Sequence, residues 1–343
     1  TLLTLIHRFK RTGELPNNQV EMYRQGCLRL CEEVNELRRG KKTAGQLPSQ
    51  QKIVIAGRIA AALMFSNHST LWTLPDDGNM PDGAMPIEAI FGFDELDGQP
   101  ILVDQRSVME TLATGLFSAR GQNQMGWSHQ TYGEFLAADY VLRYSVGESR
   151  IMSMIARPEG RLIPKLYSVA AWIAVMNRRI FECIMKNEPE ILLLGDITAT
   201  TESQKVSLTE LYLSSIAASN VVDFGMRTNL RYDRLRHAAL VGQLGPYITN
   251  RSANENVRIE AMFITEACHV QELGNLLVDI ALNCDEPVNI RGMAAFVVSR
   301  IAKSDERARL KPLICDSAID HIDQLRGYAL TATWPENLTA EEL

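Results

Sequence analysis

The sequence predicts a mainly α-helical protein in three parts: a helical domain over residues 1–75, a small winged-helix domain over 76–148 and an α-solenoid of helical repeats over 149–343. Three observations carry this. Apolar residues recur at three- and four-residue steps from the start of the chain. A Pro- and Gly-rich stretch near residue 76 introduces signals for helix, helix, hairpin and helix. An R-x-x-A pattern then recurs at intervals that suit helical hairpins.

The elements follow in order. In LPNNQVEMYRQGCLRLCEEVNEL, Pro16 suits a first helical turn, and Val20, Tyr23, Cys27, Leu30, Val34 and Leu37 share one face, which predicts one long amphipathic helix. The basic turn RRGKKTAGQLPS ends it, with Arg38, Arg39, Lys41 and Lys42 reading as a solvated loop. A second helix, QQKIVIAGRIAAALMF, places Ile55, Ile59 and Leu63 on one face. After LPDDGNMPDGAMP come a short helix PIEAIFG, an acidic turn and a helix in QRSVMETLATG. LFSARGQNQMGWSHQ holds two short runs around a Gly and Asn turn, the pattern of a small hairpin. Thr131 and Glu134 form a T-x-x-E capping box, so the closing helix of this domain is expected to begin there.

From about residue 150 the chain reads as helical. LRHAAL, VRIEAMF, IRGMAAF and LRGYALT place Arg236/Ala239, Arg258/Ala261, Arg291/Ala294 and Arg326/Ala329 at intervals of 22, 33 and 35 residues. The last two intervals fit one helical hairpin per repeat. Small alanines let paired helices approach, and each arginine is expected to bond a neighbouring turn or an acidic side chain.

Composition narrows the function. The chain has 343 residues, 46% apolar and 22% charged, with a formal charge of −6. A surplus of acid argues against coating nucleic acid or an acidic membrane, where cations supply most of the attraction. Between Ala84 and Ser145 three arginines face eight carboxylates, so even the winged-helix region repels phosphate. Six scattered cysteines (Cys27, Cys31, Cys183, Cys268, Cys284 and Cys315) form no CxxC pair and no zinc spacing, as in a reduced, cytoplasmic protein. No apolar run approaches membrane-spanning length, and no secretory signal opens the chain. Opening at Thr1 inside TLLTLIHRF and closing in WPENLTAEEL, the sequence is expected to be a piece of something longer.

Catalytic motifs are missing: there is no phosphate-binding loop, GxGxxG, HExxH or GxSxG, so neither a catalytic residue nor a metal ligand is assigned. NELRRGKKT has Asn35 where a phosphate loop needs its leading Gly. The acidic turn DELDG has no established cation-loop spacing. Of the six histidines, His129 stands out because it lies just before the amide end of a helix, where an anion is favoured. Its imidazole either donates to such an anion or bonds a backbone carbonyl within the wing.

The segment GWSHQTYGEFLAADYVL resembles the stretch of the NACHT family of signal-transducing NTPases (the STAND class) that reads roughly F-x-H-x-S-F-Q-E-F-L-A-A. The matches are Trp127, His129, Tyr132, Glu134, Phe135, Leu136, Ala137 and Ala138, with Thr131 and Gly133 where the family often has Ser and Gln. LLTLIHRFKRTGELPNNQVEMYRQGCLRL is similar to the helical segment after that family's nucleotide-binding core, and the R-x-x-A units to the helical repeats of bacterial members. The resemblance implies that 1–75 is a lid domain, that the repeats are HEAT-like, and that His129 contacts the β-phosphate of ADP held by a core outside this sequence. It further implies ATP and ADP with Mg as cofactors of the parent, none in this chain alone, a protein trigger read by the repeats, homo-oligomerisation on activation, and antiphage defence. Two other readings stand beside it: a helical-repeat protein-binding scaffold without nucleotide control, and a winged-helix DNA-binding regulator.

Overall fold

A computed structural model describes residues 18–32, 47–75, 78–144, 146–197, 200–219, 230–315 and 323–339. It is mainly helical and divides into two compact units, Thr1–Asp196 and Ile197–Leu343. Among the described residues no helix is long and apolar enough to cross a membrane.

In the first unit, α1 (Gln19–Leu30) starts at Asn18, whose side chain accepts the Glu21 N–H at 2.8 Å. Tyr23, Cys27 and Leu30 are buried, as their spacing requires. Pro16, Val34, Leu37 and the basic residues Arg38, Arg39, Lys41 and Lys42 lie outside the described residues. In α2 (Ser49–Phe65), Ile55, Ile59 and Leu63 are sealed from solvent, each stabilising the fold by roughly 2 kcal/mol. Short strands β1 (Thr70–Trp72) and β2 (Ala84–Pro86) follow. PIEAIFG, expected as a short helix, is a single 3₁₀ turn at Ile87–Ile90, because extended Pro86 and Phe91 bracket it and Gly92 turns the chain at φ +139.

The next segment holds a hairpin that the acidic-turn reading missed. Strands β3 (Gly92–Leu96) and β4 (Gln99–Val103) pair antiparallel across Asp97 (φ 51) and Gly98 (φ 77). Positive φ at both central residues is the tight hairpin turn that an Asp-Gly pair favours. Helix α3 (Gln105–Leu112) carries the unit's capping box, Asp104 with Ser107. The expected hairpin is present as β5 (Phe117–Gly121) and β6 (Gln124–Trp127). Strand order is β2-β1-β6-β5, parallel between β1 and β2 and antiparallel elsewhere, and β3–β4 forms a separate two-stranded sheet.

Helix α4 (Gln130–Arg143) packs along α2 and comes close at Gly57, where a Cβ would stand 3.1 Å from Tyr140 Cδ2. Helices α5 (Glu148–Ile155), α6 (Tyr167–Met176) and α7 (Arg178–Asn187) complete the unit. Tyr23, Phe135 and Trp172 join α1, α4 and α6, with ring centroids 4.8 to 5.6 Å apart. Residues 149–196, expected with the repeats, therefore share the first unit's core, and the expected boundaries after 75 and 148 fall inside that unit.

The second unit comprises α8 (Glu202–Ser219), α9 (Leu240–Thr249), α10 (Glu255–Ala267), α11 (Gly274–Leu282), α12 (Val288–Ile301), α13 (Ser304–Ala308), α14 (Pro312–Cys315) and α15 (Gln324–Thr333). Two successive hairpins, α9–α10 and α11–α12, repeat one device 33 residues apart. Arg258 Nε donates to the Ile248 carbonyl at 2.9 Å, and Arg291 Nε to the Ala281 carbonyl at 3.0 Å. Each arginine thereby ties down the last turn of the preceding helix, whose carbonyls lack helical partners. Ala261 and Ala294 are fully buried beside them. The outer two units of the sequence pattern differ. Arg236 and Ala239 are exposed because they fall in the turn before α9, and Arg326 is exposed although Ala329 is buried.

Candidate functional site

The residues around His129 are positioned by the β5–β6 hairpin and by α4. Phe117 and Trp127 stack across the hairpin at 4.4 Å, and the Ser128 N–H donates to the Leu116 carbonyl at 2.8 Å, which sets where the chain leaves the sheet. His129 is then extended (φ −145, ψ 130) and is itself the residue capping α4, whose first helical residue is Gln130. The T-x-x-E capping box at Thr131 and Glu134 is thus not formed. Thr131 is already helical, and its hydroxyl lies 3.0 Å from His129 Nδ1 and bonds Tyr23. Glu134 turns inward instead, where burial raises its carboxyl above the usual range against a hydrogen bond with Ser168.

The consequence is an α4 N-terminus with no side-chain cap and an exposed imidazole beside it. The His129 ring meets Tyr132 edge-on at 6.0 Å, and among the described residues its hydrogen-bond partner is Thr131 rather than a backbone carbonyl of the hairpin. When Nδ1 accepts from the Thr131 hydroxyl, the proton resides on Nε2, which makes the ring a neutral donor. The helix dipole and the first-turn N–H groups favour an anion at this end.

A cation that the sequence reading passed over stands nearby. Exposed Arg120 on β5 donates Nη2 to the Trp127 carbonyl, two residues before His129. Its stem passes over Gly126, where a Cβ would sit 2.8 Å from Arg120 Cγ. Arg120 falls at the register irregularity between Ala119 and Gly121, and Gly126 pairs with Ser118, so no simple strand alternation pointed to it. Gly133 is explained in the same way: a Cβ there would lie 2.6 Å from Trp127 Nε1 and 2.8 Å from Met64 Cε, so the Gln frequent in the resembled family has no room.

The remaining histidines take other roles. His68 bonds Ser66 at 2.7 Å, and His7 and His321 lie outside the described residues. In the second unit His237 is held between the Leu235 carbonyl and Gln243 Oε1, beside a cavity of about 460 Å³ also lined by Arg236, His269, Glu202 and Glu272. Glu202 already accepts the Ala238 N–H there at 3.2 Å. Cys27, Cys31 and Cys268 are buried, and burial drives each thiol upward, Cys31 and Cys268 to about 12, which makes them inert packing groups. Among the described residues no three His, Cys, Asp or Glu side chains converge as metal ligands.

No family model, no curated protein and no solved structure matches this chain.

Proposed function

We propose that this chain is the regulatory and sensing portion of a cytoplasmic NACHT/STAND switch, acting in antiphage defence. In this reading residues 1–75 are the lid, 76–148 the winged helix and the later helical hairpins a HEAT-like solenoid that recognises a protein trigger. The observation that carries it is the exposed His129 at the uncapped N-terminus of α4. An imidazole donor, first-turn N–H groups and Arg120 together suit one phosphate presented by a separate nucleotide-binding core.

His129 would hold the β-phosphate of ADP and so bias the resting arrangement. Nucleotide exchange on the core, with Mg, supplies the two states between which the switch moves. A contact made in one arrangement and lost in the other shifts an equilibrium by its differential affinity alone. This chain itself catalyses nothing in the scheme, and homo-oligomerisation follows release of the latch. The hairpins joined by Arg258 and Arg291 also support the plainer reading of a protein-binding scaffold, since stacked helical hairpins present extended surfaces.

The test is ADP retention by the parent protein carrying His129→Ala. Losing one charge-assisted phosphate bond should weaken retention by about tenfold and raise basal activity. Unchanged retention and unchanged basal activity would overturn the assignment, and a parent without any phosphate-binding loop would leave the scaffold.

A further inference from the structure

The β3–β4 hairpin is anchored from behind. Asp94 points inward, where its carboxylate accepts from the Tyr140 hydroxyl at 2.9 Å and from the Tyr144 hydroxyl, with Arg58 Nη1 at 3.8 Å. Arg58 also donates to the carbonyls of Ile90, Phe91 and Phe93, which occupies that side of β3. Ile101 and Val103 pack inward with Asp94.

The opposite face is apolar and open. Phe93 and Leu102 are directly opposed cross-strand partners, 72% and 55% exposed, with Glu95 opposite Pro100 as the next pair. Of the five large apolar side chains exposed in the first unit's described residues, Phe93, Leu102 and Tyr144 belong to this hairpin or to the concavity of about 560 Å³ beside it. Solvated monomers seldom keep such a cluster without a use for it.

Charge selects the occupant. Residues 87–103 expose Glu88, Glu95 and Asp97 and contain no Lys, Arg or His, and exposed Arg150, which also lines the concavity, leaves the acids in excess. A second copy docking through the same patch would set these carboxylates against one another. Anionic lipid is repelled for the same reason. We propose that the outer face of the β3–β4 hairpin is a docking surface for a protein segment with an apolar stripe and basic flanks, Phe93 and Leu102 entering the stripe and Glu95 and Asp97 meeting the cations. This surface does not depend on the nucleotide reading of His129.

The experiment uses the full 343-residue chain and two synthetic amphipathic helical peptides with the same leucine face, one with lysine and one with glutamate on its polar face. Fluorescence anisotropy should show binding of the lysine peptide and none of the glutamate peptide. F93S/L102S, which keeps every charge, should weaken binding by about tenfold or more, and E95Q/D97N by less. Both variants change exposed side chains, and unaltered thermal unfolding would show that they fold. A photocrosslinking residue in place of Phe93 should capture the lysine peptide. Failure of the lysine peptide to bind overturns the proposal, as does binding indifferent to F93S/L102S or equal binding of both peptides. Self-association of the parent chain that F93S/L102S abolishes would overturn it in favour of a second copy.

Discussion

Gly133 shows how a single missing methyl shapes the His129 neighbourhood. In an exposed helix interior, alanine in place of glycine stabilises by up to about 1 kcal/mol. Here the added carbon would collide with the Trp127 indole, which is buried and stacked on Phe117. We expect Gly133→Ala to destabilise the first unit by roughly 1–3 kcal/mol through overpacking. Gly242→Ala in α9, with nothing within 4 Å of the new carbon, should do the reverse. Thermal unfolding of both variants decides it, and a Gly133→Ala chain as stable as its parent would contradict the packing described. On the reading proposed above for His129, two residues beyond Trp127, the same variant should also weaken nucleotide retention in the parent.

At the scale of elements, the two arginine-tied hairpins look alike and differ in energy. Arg258 pairs with Glu286 at 2.8 Å, and Arg251 reaches the same carboxylate at 2.7 Å, so one loop of the following hairpin is bonded from two sides. Arg291 makes the same carbonyl bond, yet its Nη1 and Nη2 are buried with no partner among the described residues. Removing one member of a buried pair strands the other, whereas replacing an unpaired buried cation by an apolar chain of similar volume relieves desolvation. Arg258→Met should therefore cost roughly 3 kcal/mol, while Arg291→Met should stay within about 1 kcal/mol of the parent or exceed it. Denaturant unfolding separates the outcomes, and equal losses would mean that the shared carbonyl bond, not the carboxylate, dominates.

For the whole molecule, acid should act on the two units with opposite sign. Burial raises the Glu286 carboxyl, but Arg258 and Arg251 outweigh it and hold the group below its ordinary value. Its stabilising contribution is present above the unfolded pKa and is lost as pH falls through the folded one. Glu134 and Glu190 are raised by burial, so their ionisation opposes folding of the first unit above their folded pKa, and protonation removes that penalty as pH falls. As pH falls from neutral to about 4, hydrogen exchange should show the first unit gaining protection relative to a Glu134→Gln/Glu190→Gln variant, and on further acidification below about pH 4 the second unit should loosen. Glu286→Gln should flatten the loss in the second unit. An acid response that Glu286→Gln leaves unchanged would remove that carboxylate from the account.

Periodicity and composition made the helical class legible. Tyr23, Cys27 and Leu30 on α1, and Ile55, Ile59 and Leu63 on α2, are buried where three- and four-residue spacing puts them, because an amphipathic stripe must be covered whatever covers it. The β5–β6 hairpin and the 33-residue spacing of Arg258 and Arg291 were legible for the same reason, being local patterns with local consequences. What packing settled was less local. Thr131 and Glu134 have the residue types of a capping box, but Tyr23 and Ser168 from other helices engage them, and α4 starts at Gln130. Residues 149–196 belong to the first unit because Trp172 closes on Phe135 and Tyr23, a contact between residues far apart in the chain. Spacing along one element reports that element's own stripe. Which neighbour a side chain meets is a free-energy contest between distant segments, and no window of sequence contains both contestants.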